Sequence, residues 1–103
     1  MQTEDNSTLS MDYLNARIKL KEEVFFEELD DQAVILNIQT STYFGLNEVG
    51  TRIWNLLSEH KQVRIVYNKL IEEYDVAAEQ IAKDLQIFIN HLQSKELIDV
   101  YEE

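Results

Sequence analysis

The chain has 103 residues, 45% of them hydrophobic, with no cysteine and a formal net charge of −11. A domain of this size buries roughly two-thirds of the surface that its unfolded chain exposes, so it can form a core without disulfides. The absence of cysteine also excludes a thiolate nucleophile and a cysteine-based zinc site. The acidity disfavours nucleic acid and anionic lipid as partners, and the lack of both a signal peptide and an apolar run of about 20 residues predicts a cytoplasmic protein.

The N-terminal half is predicted to contain a tail followed by strands. Residues 1–17 are polar and aperiodic and are expected to form a flexible acidic tail, with residues 18–103 as a single domain. β-favouring residues and partial alternation then predict three strands, at Ile18–Leu29, Ala33–Ile38 and Tyr43–Leu46. Short polar turns separate them, which is typical of an antiparallel meander.

The second and third strands carry the predictions about sheet faces and edges. Val34, Leu36 and Ile38 alternate with Ile35 and Asn37, and the Leu36/Ile38 face is expected to supply core. In a sequential meander the third strand lies at an edge of the sheet. An edge strand has unpaired N–H and C=O groups that an extended peptide can satisfy.

Amphipathic periodicity predicts three helices after the strands. Asn47 has the side chain of an N-cap for the first of them. Gly50 in its first turn costs about 1 kcal/mol relative to alanine, which close packing would explain. The predicted helices are Glu48–Ser58, Gln62–Tyr74 and Ala77–Ser94, with a short closing strand at Leu97–Val100. The order predicts an α+β fold that is winged helix-turn-helix-like, with a three-stranded antiparallel sheet followed by a three-helix bundle.

The chain offers little catalytic chemistry. Its two histidines are His60, which is best interpreted as a solvated residue, and His91, which lies seven residues after Asp84 and can share a helix face with it. The carboxylate pairs are adjacent in sequence, so the two members of each pair point apart. We predict no enzymatic activity, no catalytic residue, no metal and no cofactor. A small metal- or histidine-dependent enzyme that uses His91 is the third hypothesis.

A winged-helix DNA-binding regulator is the second hypothesis. A recognition helix requires exposed Arg, Lys, Asn or Gln with few acids. The polar positions of the third predicted helix are instead mixed and near neutral, in an acidic protein. The sequence therefore favours a different class of binding protein.

From Val24 to Val100 the chain resembles the PqqD-like family of RiPP recognition elements. The resemblance rests on the order and spacing of VFFEELDDQAVILNIQTSTYFGLNEVGTRIWNLL and IEEYDVAAEQIAKDLQIFINHLQSKELI. Ala77-Ala78 departs from the family's usual pair at the start of the third helix. The resemblance implies a non-catalytic domain that binds the leader segment of a ribosomally synthesised precursor peptide. It also implies a partner enzyme, such as a radical SAM enzyme or the leader peptidase of a lasso peptide.

The resemblance further implies where the leader binds. In the family the leader adds as a strand to the third strand and lies in a groove against the third helix. Tyr43 is expected to line this groove, Asp84 to pair with a basic leader residue, and at least two of the apolar residues to be mainly core. The implied peptide-binding residues are Tyr43, Phe44, Gly45, Leu46, Ile81, Asp84, Leu85 and Phe88. Gly45 is expected to keep the edge uncrowded.

Overall fold

The structure of the protein is a computed structural model that describes residues 13–30 and 32–102, and for residue 102 the backbone only. Its helices and strands confirm the α+β class, while the winged-helix comparison stays a prediction. The strands are β1 (Ala16–Leu20), β2 (Val24–Leu29), β3 (Gln32–Asn37), β4 (Thr42–Leu46) and β5 (Ile98–Glu102). The helices are α1 (Glu48–His60), α2 (Val63–Glu73) and α3 (Ala78–Ser94).

The strands form two separate antiparallel sheets. The larger has the order β2-β3-β4, and the smaller pairs β1 with β5. The prediction of one strand from Ile18 to Leu29 is therefore wrong. A turn at Lys21 divides it, closed by a bond from the Val24 N–H to the Lys21 carbonyl at 3.3 Å. The Lys21 ammonium also lies 3.0 Å from the Asp99 carboxylate of β5, which ties this turn to the smaller sheet.

The folded region begins before the predicted boundary at residue 18. Leu14 and Ala16 are buried in the core, and the Tyr13 hydroxyl donates a hydrogen bond to the Ala82 carbonyl of α3 at 2.8 Å. Burial raises the pKa of this phenol above its ordinary value. The rest of the predicted tail, residues 1–12, lies outside the described residues.

The two faces of β3 are the reverse of the prediction. Ala33, Ile35 and Asn37 are buried, whereas Leu36 and Ile38 are exposed. Both sets of alternate positions are largely apolar, so alternation alone does not determine which set is buried. The polar Asn37 is misleading, because a polar residue suggests an exposed face, whereas Asn37 is buried. We call the buried side the inner face. The Phe26, Ile35 and Phe44 positions form one of its cross-strand rows.

Helices α1 and α3 cover the inner face. The ring of Trp54 in α1 stacks on Phe26 with centroids 6.1 Å apart. Asn47 is the N-cap of α1, as predicted: its Oδ1 accepts a hydrogen bond from the Gly50 N–H at 2.8 Å. A Cβ atom on Gly50 would lie 3.2 Å from Leu46 Cδ2, so this glycine lets α1 start close to the end of β4. In the described part of the chain, no helix has the length and apolar character needed to cross a membrane.

Candidate functional site

Strand β4 is an open edge of the larger sheet, as predicted. It pairs with β3 on one side, and no described strand pairs with its other side. In an antiparallel strand, alternate residues direct their N–H and C=O groups away from the paired neighbour. The free side of β4 can therefore form a ladder of backbone hydrogen bonds with an added strand.

The two edges of the larger sheet differ in charge. Strand β4 has the sequence TYFGL, without a charged residue. The opposite edge strand, β2, carries Glu27 and Glu28, both exposed. Charged side chains on an edge discourage the addition of another strand. Both strands are edges of this sheet, and the absence of charge makes β4 the more favourable of the two for the addition of another strand.

Helix α3 lies beside this open edge, and aromatic rings join the two. The ring of Phe44 on β4 lies 6.2 Å from the ring of Phe88 on α3. The His91 ring packs edge-on against Phe44 at 6.3 Å. Phe44 and Phe88 are both half-buried, so this aromatic cluster of Phe44, Phe88 and His91 retains apolar surface that a ligand can cover.

Hydrogen bonds from Asn37 hold one end of the larger sheet against the end of α3. Its side-chain amide donates to the Glu96 carbonyl at 2.6 Å. Its Oδ1 accepts from the backbone N–H groups of Gln39 and Thr40 at 2.9 and 3.1 Å. The Thr42 hydroxyl adds a bond to the Lys95 carbonyl at 3.1 Å. These bonds fix the β3–β4 turn, and so the position of β4 beside α3.

The structure separates the eight predicted site residues into three groups. Leu46, Ile81 and Leu85 are 6%, 7% and 1% exposed and belong to the core, which confirms that at least two of the apolar residues are mainly core. Phe44 and Phe88 meet beside the edge, as described above.

The remaining three predicted residues are exposed, but they do not share one surface. Asp84 lies on α3, where its carboxylate accepts from the Gln80 side chain at 2.8 Å. Tyr43 and Gly45 alternate with the inward Phe44 and Leu46, so they lie on the outer face of the sheet. Tyr43 contributes its backbone to the edge, but it does not line the space between β4 and α3.

Sequence reasoning missed three residues that shape this site. His91 was expected to be a groove-edge or surface residue and is exposed, but its contact with the ring of Phe44 was not predicted. Ile87 follows Asp84 by three residues on the helix and is 49% exposed, which makes it an apolar neighbour of that carboxylate. Asn37, just before a polar turn, is a position where an Asx side chain bonds the following backbone.

A second concavity lies away from this edge, at the start of α1. It is lined by polar residues of β2, the β2–β3 turn, α1 and the end of α2, including Glu28, Glu48 and Arg52. Arg52 is paired with Glu73, and the hydrogen bond from its guanidinium lowers the pKa of the Glu73 carboxyl. No group of three or more His, Cys, Asp or Glu side chains among the described residues could hold a metal ion.

Comparisons with known proteins agree on one family. The family described as "Coenzyme PQQ synthesis protein D (PqqD)" matches residues 32–98. A solved structure described as "TbiB1 in Complex with the TbiA(beta) Leader Peptide" is 40% identical and has a TM-score of 0.75, covering 79% of this chain and 94% of that one. A "Lasso peptide synthetase B1 complexed with the leader peptide" is 20% identical with a TM-score of 0.72, covering 81% and 98%. No curated protein matches.

Proposed function

This chain belongs to the PqqD family as a PqqD-like RiPP recognition element, and we propose that it binds the leader segment of a ribosomally synthesised precursor peptide along the free edge of β4. The main support is the open, uncharged edge of β4 beside the aromatic cluster on α3. The 40% identical TbiB1 was solved with a leader peptide. The more distant match supports the fold alone.

Binding by strand addition divides affinity and specificity between backbone and side chains. Hydrogen bonds to the free side of β4 place the leader in an extended conformation with little demand on its sequence. Alternate leader side chains then point toward α3, where an apolar one covers Phe44 and Phe88. A Lys or Arg of the leader pairs with Asp84, whose carboxylate is exposed on the same helix. We expect affinity in the micromolar range or tighter.

The proposed role is recognition without catalysis. The domain holds the precursor in the cytoplasm and delivers it to a modifying enzyme or a leader peptidase. The DNA-binding hypothesis gains no support from the family or from the matched structures. The exposed Glu79 and Asp84 carboxylates of α3 would also repel phosphates.

A backbone N-methyl scan of the leader tests the proposed mode directly. The TbiA(beta) leader peptide serves as the probe, with one amide methylated in each synthetic variant. Methylation removes an N–H donor and adds bulk at the edge. We expect binding to fall by about tenfold or more at every second residue of the bound segment, and much less at the residues between. Isothermal titration calorimetry measures each affinity.

The scan separates strand addition from other modes of binding. Losses at consecutive residues, or at a spacing of three to four, would indicate a helical or irregular ligand and rule out addition to β4. The leader segment of the precursor peptide encoded beside this chain provides the matched positive control. If neither unmodified peptide binds, the proposed function itself is wrong.

Gly45 provides a second test, because its outer side is open. A Cβ atom built there meets no heavy atom within 4 Å, and glycine in a strand is unfavourable for stability. We expect Gly45→Val to raise the free energy of unfolding by about 0.5–1 kcal/mol, as measured by urea denaturation. Leader affinity should stay within about twofold, because the new side chain points away from α3. A large loss of affinity would place the leader on the outer face.

A further inference from the structure

The outer face of the larger sheet carries large apolar side chains that nothing in the described structure covers. In its central row Phe25, Leu36 and Tyr43 are register partners across all three strands. Their exposed fractions are 59%, 38% and 69%. Val34 occupies the next row, and Leu29 and Ile38 extend the surface at its ends, with exposed fractions of 42%, 64% and 55%. We call these six residues the outer apolar face.

The outer apolar face is large for a domain of this size. A buried Phe or Tyr side chain covers about 150–250 Å² and an aliphatic side chain somewhat less, so six residues that are each roughly half exposed present on the order of 500 Å². This approaches the largest apolar patches of ordinary monomers, which often have a function. A standard interface buries about 800 Å² on each partner, with an apolar centre and a polar rim. The outer apolar face has the size of such a centre.

The bound leader would not cover this face. The aromatic cluster lies on the inner face, between β4 and α3, and an added strand extends the sheet sideways from β4. The outer apolar face therefore stays open in the leader complex. Leader side chains that point to the outer side of the sheet would extend the outer apolar face beyond Tyr43. A second macromolecule can occupy the face while the leader remains bound.

Charge indicates what kind of molecule fits. Residues 24–46 contain no Lys or Arg. Glu27 lies on the outer face itself, in register with Val34, and Asp30 is exposed at the following turn. A second copy of this chain would bring another net charge of −11 against the same acidic rim. The complementary surface is apolar with a border of Lys and Arg.

We propose that the outer apolar face is the docking surface for the enzyme that modifies or cleaves the bound precursor, an inference that rests on the proposed function. The enzyme would contact this face through an apolar patch of its own that is bordered by basic residues. The enzyme then approaches from the side opposite α3. The leader occupies the β4 edge and the enzyme occupies the outer apolar face at the same time. Recognition and delivery are thus performed by different residues, which substitutions can separate.

Paired affinity measurements test this division. The probes are the leader peptide and the purified enzyme encoded with the same precursor, each titrated against the full chain. We expect Phe25→Ser and Leu36→Ser to weaken enzyme binding at least about tenfold, and the charge reversal Glu27→Lys to weaken it about threefold. Leader affinity should remain within twofold for all three. Val76→Ser, which alters an apolar residue exposed to 47% elsewhere, should change neither affinity.

Each outcome has a definite meaning. Enzyme affinity that stays within twofold in Phe25→Ser and Leu36→Ser, or a wild-type chain that does not bind the enzyme, overturns the proposal. A wild-type dimer that Phe25→Ser converts to a monomer, by light scattering, would show a second copy to be the occupant and also overturn it. Circular dichroism verifies folding, and Glu27→Lys alters only an exposed side chain. Failure of the leader to bind would instead refute the proposed function and leave the enzyme titration interpretable.

Discussion

Replacing Phe88 by alanine is expected to weaken leader binding by about 10–100-fold. The Phe88 ring is half-buried in the free protein and lies 6.2 Å from Phe44, so it forms the wall of α3 that faces the free edge of β4. An apolar leader side chain that packs on this ring would lose its main partner. Removal of one well-covered aromatic side chain at an interface costs about 2 kcal/mol or more. Isothermal titration calorimetry with a leader peptide measures the change.

Phe25→Ala is the matched control for this prediction. It removes the same ring from the same sheet, but from the outer face, where the side chain is 59% exposed. Leader affinity should stay within twofold. Urea denaturation at the titration temperature shows whether each variant is fully folded there, so a loss of stability is not mistaken for a loss of binding. If Phe25→Ala weakened leader binding and Phe88→Ala did not, the leader would occupy the outer face.

Asn37→Ala is expected to lower the free energy of unfolding by about 2–4 kcal/mol. Asn37 is 3% exposed, and its side chain makes three hydrogen bonds, to Glu96, Gln39 and Thr40. Alanine would remove all three hydrogen bonds, each of which contributes about 0.5–1.5 kcal/mol to stability. Small domains have only about 5–15 kcal/mol of stability in total, so the effect is large. Urea denaturation measures it.

Asn90→Ala gives the comparison for Asn37→Ala. Asn90 is exposed on α3, where alanine is the better helix former. We expect this variant to change stability by less than about 0.5 kcal/mol, or to raise it slightly. A loss below about 1 kcal/mol for Asn37→Ala would mean that the bonds to Glu96 and the turn contribute little. The position of β4 beside α3 would then depend on apolar packing alone.

The sequence predicted the elements of the fold better than their faces. The succession of strands and then three helices, the N-cap at Asn47 and the open edge at β4 follow from local patterns, and the structure agrees with them, although it divides Ile18–Leu29 into two strands. The parity of β3 failed, because Val34 and Leu36 are as apolar as Ala33 and Ile35. Which set is buried depends on the helices that cover the sheet, and a shift of one residue exchanges the two faces.

The candidate site was predicted in part for the same reason. The predicted edge and the predicted helix lie side by side in the structure, and Phe44 and Phe88 meet between them. Tyr43 was expected to line the groove, but it is the register partner of Leu36 and lies with it on the exposed outer face. The pairing of β1 with β5 joins residues from opposite ends of the chain. No local pattern in Ile18–Leu29 distinguishes such a long-range pairing from a continuous strand.

The smaller sheet also determines how this domain can be joined to another protein. Ala16 and Glu102 are register partners at the end of the β1–β5 pair, and paired residues in antiparallel strands are about 5 Å apart. The first and last strands of the fold therefore meet at one seam, which includes no part of β4. A carrier protein can receive residues 13–102, which include the buried Leu14, within a single surface loop and leave the β4 edge unobstructed.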